Sequence, residues 1–384
     1  MKGKTSFVNL LPVLFSFYIV GFGDIVGISA SYVQNDFQLS DAVVGLLPAT
    51  VFIWFLFLSA PATALVNRLG CKKTVLWGMA LTMFGMSVPF FLYNLPGCFM
   101  AFALLGIGNV LLQVALNPLL SCVASDHVLS VVFTSGQMIK GVSAFCGPFV
   151  AAFAVSFWGS WHYVFPVFAV VTLLSACWLL LVPVREGGRC VRATSAEAFA
   201  LLRNPAVLFL FLAVVFAVGV DVGMNVLTPK LLMERCGHTV QDAALGSSVY
   251  FAFRTLGIFV STILLVNLSE VKYLRVHILL MLVSVSLLLF AEGEYSILTL
   301  SGMAGLGCSS IFAVICAIAL KSHPDQIGGI SVLMMAGICG GAFVPALMGV
   351  ATGCVGSHTG ALAVLIACIL YLAYCSFGVT LKTK

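Results

Sequence analysis

Two aspartates lie in the middle of long apolar segments, within short stretches that resemble each other. Residues 20–25 read Val-Gly-Phe-Gly-Asp-Ile, and residues 218–222 read Val-Gly-Val-Asp-Val about half a chain later. A carboxylate inside a membrane is costly unless it faces a partner or a wet cavity, so an intramembrane acid indicates function. We therefore expect Asp24 and Asp221 to lie at the centre of a duplicated membrane transporter.

Three amide side chains follow at helical spacing. Asn109, Gln113 and Asn117 are four residues apart and share one helix face. Amides donate and accept hydrogen bonds, which suits the hydroxyl groups of a sugar. The alternative is that they only join helices, as amides do in many membrane bundles. We expect them to line a binding site, together with Gln137 on the next segment.

Lys140 is an unusual cation, because it lies inside an apolar segment one turn after Gln137. Counted from helix ends near residues 10 and 129, Asp24 lies roughly 21 Å and Lys140 roughly 16 Å deep. The two side chains are therefore expected to meet near the midplane. Their pair is either a static salt bridge or an ion pair that breaks and re-forms during transport. As a third possibility, Lys140 binds an anionic substrate.

The second half of the chain carries a comparable polar set. Asp221 and Asn225 share one helix face, and Tyr250 and Arg254 share a face of the following segment. Asp221 and Arg254 lie at similar depths, roughly 24 Å and 20 Å from opposite ends of their helices. Arginine keeps its charge at accessible pH, so this pair is expected to be a fixed brace. Asn225 and Tyr250 are candidate substrate contacts, Tyr250 by stacking on a sugar ring.

The elements that must position these residues are membrane-spanning helices. Of the 384 residues, 61% are hydrophobic and 8% are charged, and the mean hydropathy is +1.16. This composition excludes a soluble globule. An apolar run of ~20 residues crosses a bilayer as one helix. The runs predict an all-α membrane protein with twelve spans, at residues 7–33, 40–66, 74–93, 97–122, 129–157, 161–183, 204–229, 241–266, 273–290, 295–320, 327–353 and 358–380.

The spans divide into two sets of six. A polar linker at residues 185–203 separates a predicted N-terminal bundle, 1–184, from a C-terminal bundle, 204–384. Residues 146–150, Cys-Gly-Pro-Phe-Val, resemble residues 339–345, at nearly the separation of the two aspartates. Repeated halves that meet at a midplane site are the architecture of secondary transporters.

The distribution of lysine and arginine predicts the orientation, because these residues are retained on the cytoplasmic side. Lys230 and Arg235 lie on the side opposite the N terminus. The side of the N terminus carries Lys2, Lys4, Arg68, Lys72, Lys73, Arg185, Arg189, Arg192, Arg203, Lys272, Arg275, Lys321, Lys382 and Lys384. We expect both termini to be cytoplasmic, in an inner membrane. The net charge of +5 reflects this topology and indicates no nucleic-acid partner.

Several stretches resemble a known family. Residues 67–73, Asn-Arg-Leu-Gly-Cys-Lys-Lys, are similar to the basic loop motif of the major facilitator superfamily, with Asn67 in place of the motif's Asp. Within this superfamily, the chain resembles the fucose-permease-like sugar:cation symporters at residues 21–24, 39–40, 113–118 and 340–349, and at Gln137 and Arg254. These matches follow the family order over most of the chain.

The resemblance implies two pseudo-symmetric six-helix bundles, the major facilitator fold, that alternate between outward-open and inward-open states. Family members carry a sugar with H⁺, or in some cases with Na⁺. Asp24 is then the leading proton-coupling residue, with Lys140, Asp221 and Arg254 as further candidates. Two departures concern the solute and the ion: the family's acid in span 4 is Gln113 here, and an Asn that follows the span 5 Gln is Lys140.

We therefore expect a monomer in the lipid bilayer that imports a sugar or sugar-like polar solute by H⁺ symport. The alternatives are an exporter of hydrophobic compounds or lipids, a carrier of an anionic sugar acid that uses Lys140, and a sensor or structural membrane protein that does not transport. The sequence has no Walker-type phosphate loop, H-E-x-x-H or C-x-x-C motif, and its 13 cysteines lack metal-ligand spacing. We expect neither an enzyme nor a cofactor, and no metal site.

Overall fold

The computed structural model describes residues 7–123, 129–183 and 195–378. Within these ranges the chain is helical and contains no β-strand. We number its membrane spans from one to twelve in chain order. The side on which span 1 begins, and on which most of the described lysines and arginines at span ends lie, is called the basic face, and the other side the opposite face.

The first six spans follow the predicted segments closely. Span 1 comprises Phe7–Val20, the 3₁₀ turn Gly21–Ile25 and Val26–Phe37; span 2 comprises Asp41–Val44 and Leu46–Leu69; span 3 is Cys71–Phe91; span 4 is Leu95–Val123; span 5 is Leu129–Trp158; span 6 comprises Trp161–Tyr163 and Val164–Leu181.

The second six spans follow a short linker helix, Ser195–Ala200, which continues as Leu201–Arg203. Span 7 is Pro205–Cys236; span 8 is Val240–Asn267; span 9 is Glu270–Leu287; span 10 comprises Glu294–Cys308 and Ile311–Ser322; span 11 comprises Pro324–Gln326, Ile327–Ala336, Gly337–Cys339 and Gly340–Val355; span 12 is Thr359–Phe377.

Eleven of these spans, searched over the described residues, are long and apolar enough to cross a membrane. Span 9 is the remaining one: its 18 residues include Glu270, Lys272 and Arg275 near the basic face. It packs against spans 10 and 12 through a buried face that contains Tyr273. The predicted all-α membrane fold is confirmed.

Local sequence signals explain where several spans begin and end. Asn204 caps span 7 by accepting a hydrogen bond from a first-turn N–H, and Pro205 follows as the first helical residue. Thr239 and Ser269 cap spans 8 and 9 in the same way. Gly237 follows the end of span 7 with φ of 69°, a left-handed conformation that suits glycine. The turns between these spans are therefore short and well specified.

Span 1 is interrupted in its middle. The 3₁₀ turn Gly21–Ile25 separates its two α-helical parts, and span 11 has a similar interruption at Gly337–Cys339. The hydrogen-bond pattern changes in such a turn, so nearby carbonyl oxygens can accept from side chains of neighbouring helices. Turns of this kind inside helices often mark hinges. Asp24 lies in the turn of span 1.

The two halves repeat one contact between their third and sixth helices. In the first half, Lys72 Nζ donates to the carbonyls of Leu180 and Val182, at 3.1 Å and 2.6 Å. In the second half, Arg275 Nε donates to the carbonyl of Ser376 at 3.0 Å. A cation at a helix C-terminus satisfies free carbonyls and complements the helix dipole. This repetition agrees with an internal duplication.

The hydrophobic cores also follow the two halves. One is built mainly from spans 1 to 6 and the other mainly from spans 7 to 12. The linker helix adds a small contact, in which Ala198 packs with Ala60 of span 2 and Val332 of span 11. Residues 184–194 lie outside the described ranges, so the bundle boundaries at 184 and 204 stay predictions.

The halves contact each other directly toward the opposite face. Lys230 Nζ of span 7 lies 2.8 Å from Asp41 Oδ1 of span 2, and Gln241 Nε2 donates to Ser156 Oγ at 3.1 Å. Spans 2 and 11 touch closely at Gly45, where a Cβ atom would lie 2.7 Å from a carbonyl oxygen of span 11. These contacts close the opposite face.

Candidate functional site

Asp24 lies in the 3₁₀ turn that interrupts span 1, called here the broken turn. Span 4 contacts the start of this turn. The buried Asn109 side chain donates from Nδ2 to the carbonyl of Val20 at 3.1 Å. Gly23 makes this approach possible, because a Cβ atom there would collide with the Asn109 amide. The structure therefore directs the Asn109 donor to the backbone of the turn, where the sequence predicted a contact with substrate.

A second asparagine, from the other half, contacts the end of the same turn. Asn225 Nδ2 of span 7 donates to the carbonyl of Asp24 at 2.7 Å. Gly27 provides the space, since a Cβ atom there would collide with the Asn225 amide. Asn225 Oδ1 is buried without a hydrogen-bond partner among the described residues. Span 4 and span 7 thus hold the two ends of the turn.

The carboxylate of Asp24 has fewer hydrogen-bond partners than the backbone of the same residue. Its Oδ2 is buried and has no hydrogen-bond partner within the described ranges. Lys140 lies beside the turn, because a Cβ atom at Gly21 would be 2.6 Å from the Lys140 carbonyl oxygen. The two side chains interact electrostatically, but no ion pair between them is present among the described residues. The expected direct pairing is therefore absent in this conformation.

The Asp221 carboxylate, in contrast, has two partners. Arg254 Nη2 lies 2.7 Å from Asp221 Oδ2, and the hydroxyl of Tyr250 donates to Asp221 Oδ1 at 2.6 Å. The Arg254 and Asp221 side chains are 15% and 20% exposed, so the pair is largely buried. The structure forms the pair that the sequence predicted. Tyr250 is fully buried, and its ring is not available to stack on a solute in this conformation.

Among the buried polar atoms that lack partners at the centre, two belong to side chains of opposite charge. They are Arg254 Nε and Asp24 Oδ2, which have no hydrogen-bond partner within the described residues, and the two side chains interact electrostatically. Buried polar atoms without partners are uncommon, and water or a solute can satisfy them. The centre therefore offers a cationic donor and an anionic acceptor from different halves, in addition to the neutral acceptor Asn225 Oδ1. No group of residues suited to a metal ion occurs in the described part of the chain.

The exposure of the amide side chains falls from the basic face toward the centre. Asn117 and Gln137, ~9 Å and ~12 Å from the basic-face ends of their spans, are exposed. Gln113 lies one turn deeper, is half-buried and donates from Nε2 to Asn109 Oδ1 at 2.9 Å. The amides thus mark a polar path from the basic face to the turn of Asp24.

Sequence reasoning missed the charged contact that closes the opposite face. His358 Nε2 lies 3.8 Å from Asp41 Oδ1, beside the Lys230–Asp41 ion pair, and the other ring nitrogen of His358 contacts Glu234. Charged residues are common at the ends of membrane spans, so these residue types alone do not predict a contact between the halves. The one available sign was that Lys230 is among the few basic residues predicted on that face.

A comparison with known families assigns the chain to one of them. Residues 10–265 match the family model described as Major Facilitator Superfamily, a range that includes the broken span 1 and the Asp221–Arg254 pair. The chain belongs to the Major Facilitator Superfamily. This member of the superfamily is a transporter and not an enzyme.

Curated relatives of this superfamily member carry two kinds of solute in their names. It is 24% identical over 374 residues to a "Probable nitrate transporter NarT" of Staphylococcus haemolyticus, which covers 94% of this chain and 93% of that protein. It is also 24% identical over 382 residues to a "Glucose/galactose transporter" of Brucella abortus, which covers 89% of this chain and 87% of that protein.

Solved structures of other transporters share its fold. The fucose:proton symporter FucP of E. coli has a TM-score of 0.70 at 17% identity, over 96% of this chain and 97% of that one. The nucleoside transporter NupG has a TM-score of 0.77 at 14% identity, over 96% of this chain and 99% of that one. At these identities the likeness shows the fold alone.

Proposed function

We propose that this transporter imports a sugar or sugar-like polar solute by alternating access, coupled to H⁺ entry through Asp24. The carboxylate of Asp24 is the observation that carries the proposal. It lies between the two halves, in the broken turn of span 1, and its Oδ2 is buried without a partner in the described structure. A buried acid is costly when ionised and unpaired, so a proton or a solute hydroxyl stabilises it.

In the proposed cycle, Asp24 binds a proton from outside while the opposite face is open. The neutral carboxyl group and the solute are then both present in the central site. After the halves rock, the polar path to the basic face is open, and the nearby cations Lys140 and Arg254 favour release of the proton. Coupling follows because proton and solute bind the same state better than the other.

The orientation completes this proposal. The basic face is cytoplasmic, because lysine and arginine are retained on that side, and the membrane is an inner membrane. Import then means transport from the opposite face to the basic face. The solute is a neutral polar molecule, which the amides of Gln113, Asn117 and Gln137 suit on its way inward. The names of the glucose/galactose transporter and the fucose:proton symporter support this class of solute.

Uptake into proteoliposomes tests the proposal. Purified protein is reconstituted with an inward proton gradient and screened with hexoses, nucleosides and sugar acids. We expect at least one neutral sugar to accumulate, and an uncoupler to abolish the accumulation. Stimulation by an inward Na⁺ gradient instead of H⁺ would identify Na⁺ as the coupling ion. Counterflow for anions with none for neutral solutes would contradict the proposal.

A second candidate function, transport of an anion, is favoured by the state of Lys140. Its side chain is half-buried beside the central turn and forms no ion pair with Asp24 in the described residues. An ammonium group there can bind a carboxylate or a smaller anion. The name of the probable nitrate transporter supports this class. Lys140→Gln would then abolish anion uptake in the same vesicles, whereas it would leave the binding of a neutral sugar largely intact.

A further inference from the structure

The hydrogen bond from Asn225 to the Asp24 carbonyl joins the two halves at the broken turn of span 1. We propose that Asn225 is a positioning residue, which latches this turn to span 7 while the opposite face is closed and releases it when that face opens. The proposal rests on alternating access alone. It depends neither on the solute nor on the coupling ion, so its test is separate from the uptake experiments.

The contact between Asn225 and the Asp24 carbonyl is short, buried and closely packed. The hydrogen bond is 2.7 Å long, Asn225 is 3% exposed, and Gly27 leaves the space that the amide occupies. Behind the amide, Ser247 Oγ donates to the backbone carbonyl of Asn225 at 3.1 Å. Span 8 thus fixes span 7 at the level where span 7 holds Asp24.

The position of the bond makes its formation depend on whether the opposite face is open or closed. The second part of span 1, Val26–Phe37, packs against span 7, and the Asp41–Lys230 ion pair joins the halves farther toward the opposite face. That face opens only if spans 1 and 7 separate along this part. A hydrogen bond is lost once donor and acceptor are much more than ~3.2 Å apart. The Asn225 contact therefore breaks in the open state.

Release of the turn changes the direction of the Asp24 carboxylate. Successive residues turn by about 120° in a 3₁₀ helix and about 100° in an α-helix. The Asp24 carbonyl accepts from the Val26 N–H and from Asn225 in the closed state. Without Asn225 it can accept the α-helical hydrogen bond from the N–H of Ile28 instead. Rewinding Gly21–Ile25 then turns the side chains of the segment by about 20° per residue. Through the Asn225 hydrogen bond, the direction of the Asp24 carboxylate therefore depends on whether the opposite face is closed.

Asn109 supplies a matched control within the same turn. Its amide makes the same kind of hydrogen bond, from Nδ2 to the Val20 carbonyl, and its neighbouring glycine is Gly23. Spans 1 and 4 belong to one half, so this bond does not need to break when the halves rock. Loss of either bond affects packing, but loss of the Asn225 bond alone is expected to bias the conformation.

The test measures the distance between the halves at the opposite face. Spin labels are attached to p-acetylphenylalanine at Asn35 and Glu292, which are exposed on that face in different halves. This chemistry leaves the 13 native cysteines in place. Double electron–electron resonance then compares wild type with Asn225→Leu and Asn109→Leu. Each change keeps the approximate size of the side chain and removes its hydrogen-bond donor. Melting temperature reports any loss of stability in both variants.

We expect Asn225→Leu to raise the ratio of the long-distance to the short-distance population roughly fivefold, the effect of one net hydrogen bond. Asn109→Leu is expected to keep the wild-type distribution. An unchanged distribution in Asn225→Leu, or an equal shift in both variants, would overturn the proposal. If Asn225→Leu does not fold, Gly27→Ala displaces the same amide and Gly23→Ala is its control, with the same two outcomes.

Discussion

Asp221→Asn removes the carboxylate that lies 2.7 Å from the Arg254 guanidinium. Removal of one partner from a buried ion pair destabilises a protein by about 3–5 kcal/mol, because the other charge stays buried. The two side chains keep 15% and 20% exposure, and Asp24 still interacts with Arg254. Both features offset part of the loss, so we expect about 3 kcal/mol for Asp221→Asn and a similar value for Arg254→Gln.

The double variant Asp221→Asn/Arg254→Gln buries neither charge of the pair. We expect it to be more stable than either single variant, which requires a coupling energy above about 3 kcal/mol when each single change costs about 3 kcal/mol. Equilibrium unfolding in mixed detergent–SDS micelles gives the four free energies of unfolding. Additive effects of the two substitutions would refute the argument, because they would mean that the two charges do not compensate each other.

Tyr250→Phe extends the same test to the third member of the group. Its hydroxyl donates to the Asp221 carboxylate, so its loss should destabilise by about 1.5–3 kcal/mol. Tyr273→Phe is the matched control: this tyrosine is also fully buried, but its hydroxyl contacts the neutral hydroxyl of Ser261. We expect about 1 kcal/mol there. Equal losses in the two variants would contradict a charged role for Asp221.

Three further predictions concern transport. Gln113→Glu should move the pH profile of uptake to higher pH, because two neighbouring carboxylates hold a proton more tightly than one; an unaltered profile would separate Gln113 from the coupling site. Lys140→Ala should slow net uptake while counterflow persists, since proton release from Asp24 loses a cation; equal loss of both would contradict this. Lys230→Asp should lower uptake several-fold, and Asp41→Lys in the same chain should restore most of it; no recovery would exclude the ion pair as a closing contact.

Much of the fold could be predicted from the sequence, because the bilayer limits the possible structures. Each span must be helical and about 20 residues long, so hydropathy located the helical segments, and eleven of those in the described residues are long and apolar enough to cross a membrane. The Asp221–Arg254 pair could also be predicted. Depth along two helices, together with the need of each charge for a partner, left few other arrangements.

The central turn could not be predicted in the same way. Gly21 and Gly23 permit many conformations, and the 3₁₀ form is held by amides of Asn109 and Asn225, which are distant in the sequence. The Asp24–Lys140 contact shows a second limit. Rise per residue gives the depth of a side chain, but it does not give the rotation of each helix about its axis, which decides whether two charges at similar depth meet.

Proton movement in the Asp24→Asn variant tests the central claim most directly. This substitution keeps the shape of the side chain and removes its titration. In proteoliposomes supplied with the first solute that gives counterflow, a pH-sensitive dye inside the vesicles reports proton entry. We predict that wild type couples solute uptake to proton entry, and that Asp24→Asn retains counterflow but neither accumulates solute nor moves protons. Full accumulation by Asp24→Asn, with an unchanged pH dependence, would contradict the account.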